Sequence, residues 1–117
     1  MSPHCAAISY RLKLTEQITR AQNVAKILFP HAVILLARLT ASGAHQRTTR
    51  DKAEENRTFS SLCNIAKAIT ALLMKARRHG NVTAAEQLSR LQNVNTTLLT
   101  HIGNTIIQLD AKKGAAR

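Results

Sequence analysis

Lys75-Ala-Arg77-Arg78-His79-Gly80-Asn81-Val82-Thr83-Ala84-Ala85-Glu86 holds the end of one helix and the start of another. Gly80 can close a helix in the left-handed conformation, because it has no Cβ to clash there. Thr83 and Glu86 have capping-box spacing, in which each side chain satisfies a backbone donor left free at the helix start. On both sides of this turn the apolar residues keep helical spacing. Before it Phe59, Leu62, Ala66, Ile69, Leu73 and Ala76 alternate steps of three and four, and after it Leu88, Leu91, Leu98, Ile102, Ile106 and Leu109 form a second seam, interrupted by Asn95. The stretch from Thr48 to Asp110 therefore predicts two long helices, near 49–79 and 83–112, folded back as an antiparallel hairpin.

Toward the N-terminus, Leu14, Ile18, Ala21, Ala25 and Leu28 mark an amphipathic helix near 9–28, with Glu16 placed to pair with Arg20 one turn on. Pro30 has no N–H to donate and disfavours helical geometry at Phe29, so a kink and a separate helix over 31–42 are expected. Residues 32–36 are apolar on every side and are expected to be the most buried part of the chain, under the hairpin or in a subunit interface. Thr40 to Arg50 reads as the one real loop and carries His45, Arg47 and Arg50. Thr48 or Thr49 can cap the next helix, whose first turns hold Asp51, Glu54 and Glu55, the right sign for a helix N-terminus. The expected fold is an all-α helical bundle, built on the long hairpin plus a Pro-kinked N-terminal helix pair. Residues 1–8 read as a flexible leader, 9–112 as one domain and 113–117 as a basic tail.

At 117 residues, with 44% hydrophobic but only 3% aromatic residues, the core must come from Leu, Ile, Val and Ala. Seventeen Lys and Arg against six Asp and Glu give a formal charge of +11, whose self-repulsion favours an anionic partner. The start of the chain lacks the pattern of a signal peptide, and no apolar run reads as long enough for a membrane span, so a cytoplasmic protein without a membrane role is expected. Cys5 and Cys63 form no CxxC pair, which argues against a disulfide framework or a zinc site. The Asn-x-Thr triplets at Asn56, Asn81 and Asn95 carry no meaning without secretion.

Catalysis needs converging titratable groups, and six scattered acids, three of them in one helix start, supply no carboxylate pair. The five histidines, at 4, 31, 45, 79 and 101, show no metal-ligand spacing. There is no phosphate loop and no nucleophile elbow. The expectation is a protein that is no enzyme, with no cofactor and no metal.

What remains is basic surface. Arg50, Arg57, Lys67, Lys75 and Arg78 fall within roughly a quarter turn of one another, opposite the apolar stripe of the first arm. With Arg77, Arg90, Arg47 and the tail residues Lys112 and Lys113 they form a candidate phosphate-binding surface, which gains affinity by releasing counterions and reads little sequence. Base stacking is not the mechanism, with only Tyr10, Phe29 and Phe59 as aromatics. Between Leu91 and Leu109 the second arm has no charged residue at all. Its outward positions Thr96, Thr97, Thr100, Asn104 and Gln108, with Gly103 allowing close approach, read as a homo-oligomer interface.

The run Val24-Ala-Lys-Ile-Leu28-Phe29-Pro30-His-Ala32, the segment His101-Ile102-Gly103 and the tail Lys112-Lys113-Gly114 resemble parts of the accessory variability determinant proteins of diversity-generating retroelements. The resemblance implies a small, basic, helical protein that assembles into a ring and binds a reverse transcriptase and its template RNA. Both lines of reading lead to a non-catalytic accessory protein that binds RNA or DNA backbone within a larger nucleoprotein complex. The alternative from another class is a protein-binding adaptor or inhibitor, phage-encoded for example, whose basic face docks on an acidic protein surface.

Overall fold

The second helix is set at both ends by local chemistry. The structure, a computed structural model, describes residues 3–41 and 47–115, with side chains for 13–41 and 47–111. It contains three helices, α1 (Pro3–Ala41), α2 (Thr49–Arg78) and α3 (Val82–Ala115), and no strand among the described residues. The fold is an all-α helical bundle.

Thr48 is the N-cap of α2. Its Oγ1 accepts from the Asp51 backbone N–H at 3.1 Å, while the Asp51 carboxylate accepts from the Thr48 N–H at 3.0 Å, closing a reciprocal capping box. Hydrogen bonding to the Thr48 backbone N–H, with a further contribution from the Thr48 side chain, holds the Asp51 carboxyl below the usual aspartate value. A depressed folded-state value contributes stability that is present above the unfolded aspartate value and is lost as pH falls through the folded one. The first turn of α2 is therefore expected to fray on acidification through that lowered midpoint, read as loss of amide-exchange protection at the Asp51 N–H. Asp51→Asn should abolish the pH step.

At the other end the Asn81 N–H bonds the Ala76 carbonyl at 2.9 Å and the Gly80 N–H bonds the Arg77 carbonyl at 3.1 Å, the paired bonds of a Schellman motif, with Gly80 at φ 67°. α3 then starts earlier than the Thr83 cap expected from sequence. Asn81 caps it instead, its Oδ1 accepting from the Ala84 N–H at 3.2 Å, because the left-handed glycine delivers the chain to Asn81 already turned into the new helix.

α1 is one helix rather than two. It runs unbroken from Pro3 through Pro30 to Ala41. Pro3 suits a first helical position, where its missing N–H costs nothing. Pro30 lies on the exposed side, while Ala25, Ala32 and Leu35 are buried before and after it, so core contacts hold both halves in one continuous helix. The expected leader over 1–8 thus falls largely on helix, and α3 likewise reaches Ala115 into the expected tail. His45 and the middle of the predicted loop lie outside the described residues.

Two core clusters follow one another along a body of 69 × 20 × 17 Å. One gathers Leu14, Ile18, Ala21 and Ala25 of α1 with Ile65, Ile69 and Leu72 of α2 and Leu88 of α3. The other gathers Ala32, Leu35 and Leu39 with Leu62, Leu98, Ile102 and Leu109, and Leu28 and Phe29 touch both. α2 and α3 run antiparallel: Gln92 Nε2 donates to Thr70 Oγ1 at 2.8 Å toward the turn, and Arg47 Nη1 reaches Asp110 Oδ1 at 2.7 Å at the far end. Asn95, the interruption in the seam, is fully buried and donates from Nδ2 to the Leu62 carbonyl at 3.0 Å. A buried amide with one available partner favours the register that supplies it.

The buried face of α2 is turned relative to the sequence stripe. Leu62, Ile69 and Ala76 are buried as expected, but Thr58, Ile65 and Leu72 replace Ala66 and Leu73, and Phe59 is exposed. α2 packs against two neighbours, so its buried arc is centred between them. Residues 32–36 are not the most buried element either, since Val33 and Ile34 are each 53% exposed. The region of α1 from Lys13 to Ala41 is, by length and composition alone, apolar enough to cross a membrane. Division at Pro30 had hidden that. In the bundle one face of this helix serves as core and the opposite one, with Ile27 and Ile34, meets solvent.

Candidate nucleic-acid interface

At about 100° per residue, Arg50, Arg57, Lys67, Lys75 and Arg78 share the side of α2 turned away from α3. Arg50, Arg57, Lys67 and Arg78 are exposed and Lys75 is half-buried. From Arg50 to Arg78 the row covers about 42 Å at 1.5 Å per residue. Of the acids on α2, Glu54 comes nearest to it, bordering one depression with Arg50 and Arg57.

The three acids of α2 all have partners. Asp51 closes the capping box. The carboxylate of Glu54 meets His31 Nε2 at 3.5 Å and Arg38 Nη1 at 3.8 Å, tying α2 to α1. Glu55 is buried and holds Arg47, whose Nε lies 3.1 Å from Glu55 Oε2 and whose Nη2 bonds Oε1. Among the described residues no ion pair involves Arg50, Arg57, Lys67, Lys75 or Arg78. Glu54 borders the same depression as Arg50 and Arg57, its carboxylate held by His31 and Arg38, and Asp51 feels the charge of Arg50, so the field of the row is least opposed toward Lys67 and Arg78, where α2 has no acid.

The other candidates separate from this row. Arg77 and Arg90 face each other across the α2–α3 turn, lining with Glu86 and Ser89 a depression of about 450 Å³. Arg47 is removed from the interface: its side chain is only 6% exposed and is taken up by Glu55 and Asp110. Hydrogen bonding to Glu55 raises the Arg47 guanidinium above its ordinary value, against the opposing effect of burial, with Asp110 adding to the rise. A loop arginine looked available in the sequence because nothing local announces a carboxylate eight positions on that will be buried. The side chains of Lys112 and Lys113 lie outside the described residues.

On α3, Thr96, Thr97, Thr100, Asn104 and Gln108 are exposed and share the outward face with Ile107, which is 67% exposed. The Thr97 hydroxyl donates to the Asn93 carbonyl at 2.8 Å, so that group needs no water. Gly103, half-buried, borders this face, and a Cβ placed on it would meet Phe59 Cε2 of the same chain at 3.6 Å, an ordinary contact that does not itself require glycine.

Sequence reading missed the contribution of α1. Arg20, exposed and paired with Glu16 at 2.9 Å, stands across from Lys75 on a shared groove. Helical spacing could place Arg20 on the outer side of α1, but only docking of α1 on α2 sets it opposite Lys75. No group of three or more metal-ligating side chains occurs among the described residues. Compared with family models, curated proteins and solved structures, the chain matches none.

Proposed function

We propose that the protein is a non-catalytic accessory subunit that holds the backbone of RNA or DNA along the outward face of α2. The observation that carries this reading is the row of cations from Arg50 to Arg78, none of them ion-paired among the described residues, the three acids of the same helix having partners elsewhere in the molecule. Five cations along about 42 Å suit a repeating anionic chain better than a point ligand. The scarcity of aromatic side chains directs contact to phosphates and shape, leaving sequence choice or catalysis to another subunit. The resemblance to the accessory variability determinant family adds a candidate setting, a reverse transcriptase with its template RNA. Titration of nuclease-treated protein into duplex DNA, single-stranded RNA and structured RNA at several salt concentrations tests the reading. A preference for structured RNA favours that setting, and absence of binding near physiological salt overturns the function.

The uncharged outward face of α3 serves in this proposal as a homo-oligomer contact, made by Thr96, Thr97, Thr100, Asn104 and Gln108. It can be buried without desolvating a charge. Thr100→Glu should therefore shift the particle toward monomer in light scattering, since a carboxylate would enter the contact unpaired. A wild type already monomeric, or a mass unchanged by the substitution, excludes the contact.

A further inference from the structure

Where α1 lies beside α2, the two helices leave a groove of about 630 Å³ between the Gln17–Val24 and Ser61–Lys75 segments. Its floor is apolar, formed by Ala21, Val24, Ile65, Ala68, Ala71 and Leu72. Val24 is 51% exposed. On the α2 side the residues are small, Ser61, Ala68 and Ala71, so the backbone of another helix can approach to ordinary packing distance. Ser61 to Lys75 spans about four turns of helix.

Charge identifies the occupant. Among the described residues, the charged ones lining this groove are Arg20 on one wall, which also holds Glu16 at 2.9 Å, and Lys75 on the other. At Ser61 the groove meets a second depression bordered by Arg50 and Arg57, where Glu54 is already paired with His31 and Arg38. A second copy of this chain has no acidic helix face to set between Arg20 and Lys75, its six acids being scattered along the sequence. A nucleic acid would leave the apolar floor uncovered and find no aromatic side chain among the lining residues to stack on. An apolar floor between cationic walls matches the helix-in-groove mode of recognition.

We propose that the α1/α2 groove is a docking site for an acidic amphipathic helix of a partner protein, its apolar face on Val24, Ala68 and Ala71 and its carboxylates between Arg20 and Lys75. This site does not rest on the nucleic-acid reading. It gives the protein a way to be tethered to a larger assembly, and because Ala68, Ala71 and Lys75 lie on the same side of α2 as the basic row, a docked helix would compete with nucleic acid for Lys75.

The test uses the full chain and a fluorescein-labelled peptide of about five helical turns, with Leu at helical spacing on one face and Glu on its flanks. Two control peptides carry the same composition with Leu scattered around the helix, or Lys in place of Glu. Fluorescence anisotropy should show saturable binding of the acidic amphipathic peptide, weakening with salt, and at least about tenfold weaker binding of both controls. Ala68→Trp fills the groove and Ala71→Glu reverses its charge preference. Both positions are exposed, so folding should survive, as thermal unfolding by circular dichroism will verify. Each variant should lose about tenfold or more in peptide affinity, and Ala71→Glu decides if Ala68→Trp does not fold. No saturable binding, equal binding of the scattered-Leu peptide, or unchanged affinity in the folded variants overturns the proposal. An equal loss of RNA and peptide affinity in Ala68→Trp also overturns it, by assigning the groove to nucleic acid.

Discussion

Arg47→Ala is expected to lower the unfolding free energy by about 3–5 kcal/mol, because it leaves the Glu55 carboxylate buried without its partner. The side chains of Arg47 and Glu55 are 6% and 2% exposed, and the guanidinium meets both carboxylate oxygens. For a single domain holding about 5–15 kcal/mol in total, such a loss is a large fraction of its stability. Asp110, 56% exposed, contributes far less, as exposed pairs do. The double substitution Arg47→Met with Glu55→Leu should recover most of the loss, since well-packed apolar side chains often replace a buried ion pair at no cost. Urea denaturation checks both variants. A loss from Arg47→Ala below about 1 kcal/mol, the range of a surface pair, would mean that water reaches this contact.

The second large effect concerns binding. Arg57→Glu, Lys67→Glu and Arg78→Glu together should reduce the slope of log affinity against log salt by about 3, near 0.9 for each phosphate contact removed from a duplex. Extrapolated over the decade between 1 M and 0.1 M salt, that is on the order of a 500-fold loss of affinity, before any repulsion from the new carboxylates. The three side chains are exposed on a face that supports no core contact, so circular dichroism should be unchanged. Arg77→Glu with Arg90→Glu, at the turn, separates that depression from the α2 row. If the triple variant binds as the wild type does, phosphate is not held along α2.

The arrangement joins these two predictions through one economy of charge. α2 needs acids near its N-terminus to suit the helix dipole, yet acids on its outward face would cancel the field of the cations. Asp51, Glu54 and Glu55 satisfy the first demand while facing the cap, α1 and Arg47. The ion pairs that join the helices also keep the basic row free.

Much of this was readable along the chain because it depends on neighbours in sequence. Periodic leucines and isoleucines specify helices, Gly80 permits the left-handed turn, and Thr48 with Asp51 closes a cap three residues apart. The basic row on α2 follows from helical spacing for the same reason. Packing partners carry no such local signal. Arg47 reads as a loop cation until Glu55 and Asp110 enclose it. Pro30 reads as a break until buried residues on both sides keep α1 one continuous helix. The direction of the α2 core face, and the groove between Arg20 and Lys75, likewise depend on which neighbour α1 chooses. Helix formation and capping are short-range hydrogen-bond problems, whereas burial and charge pairing depend on groups that meet only after the chain has closed on itself.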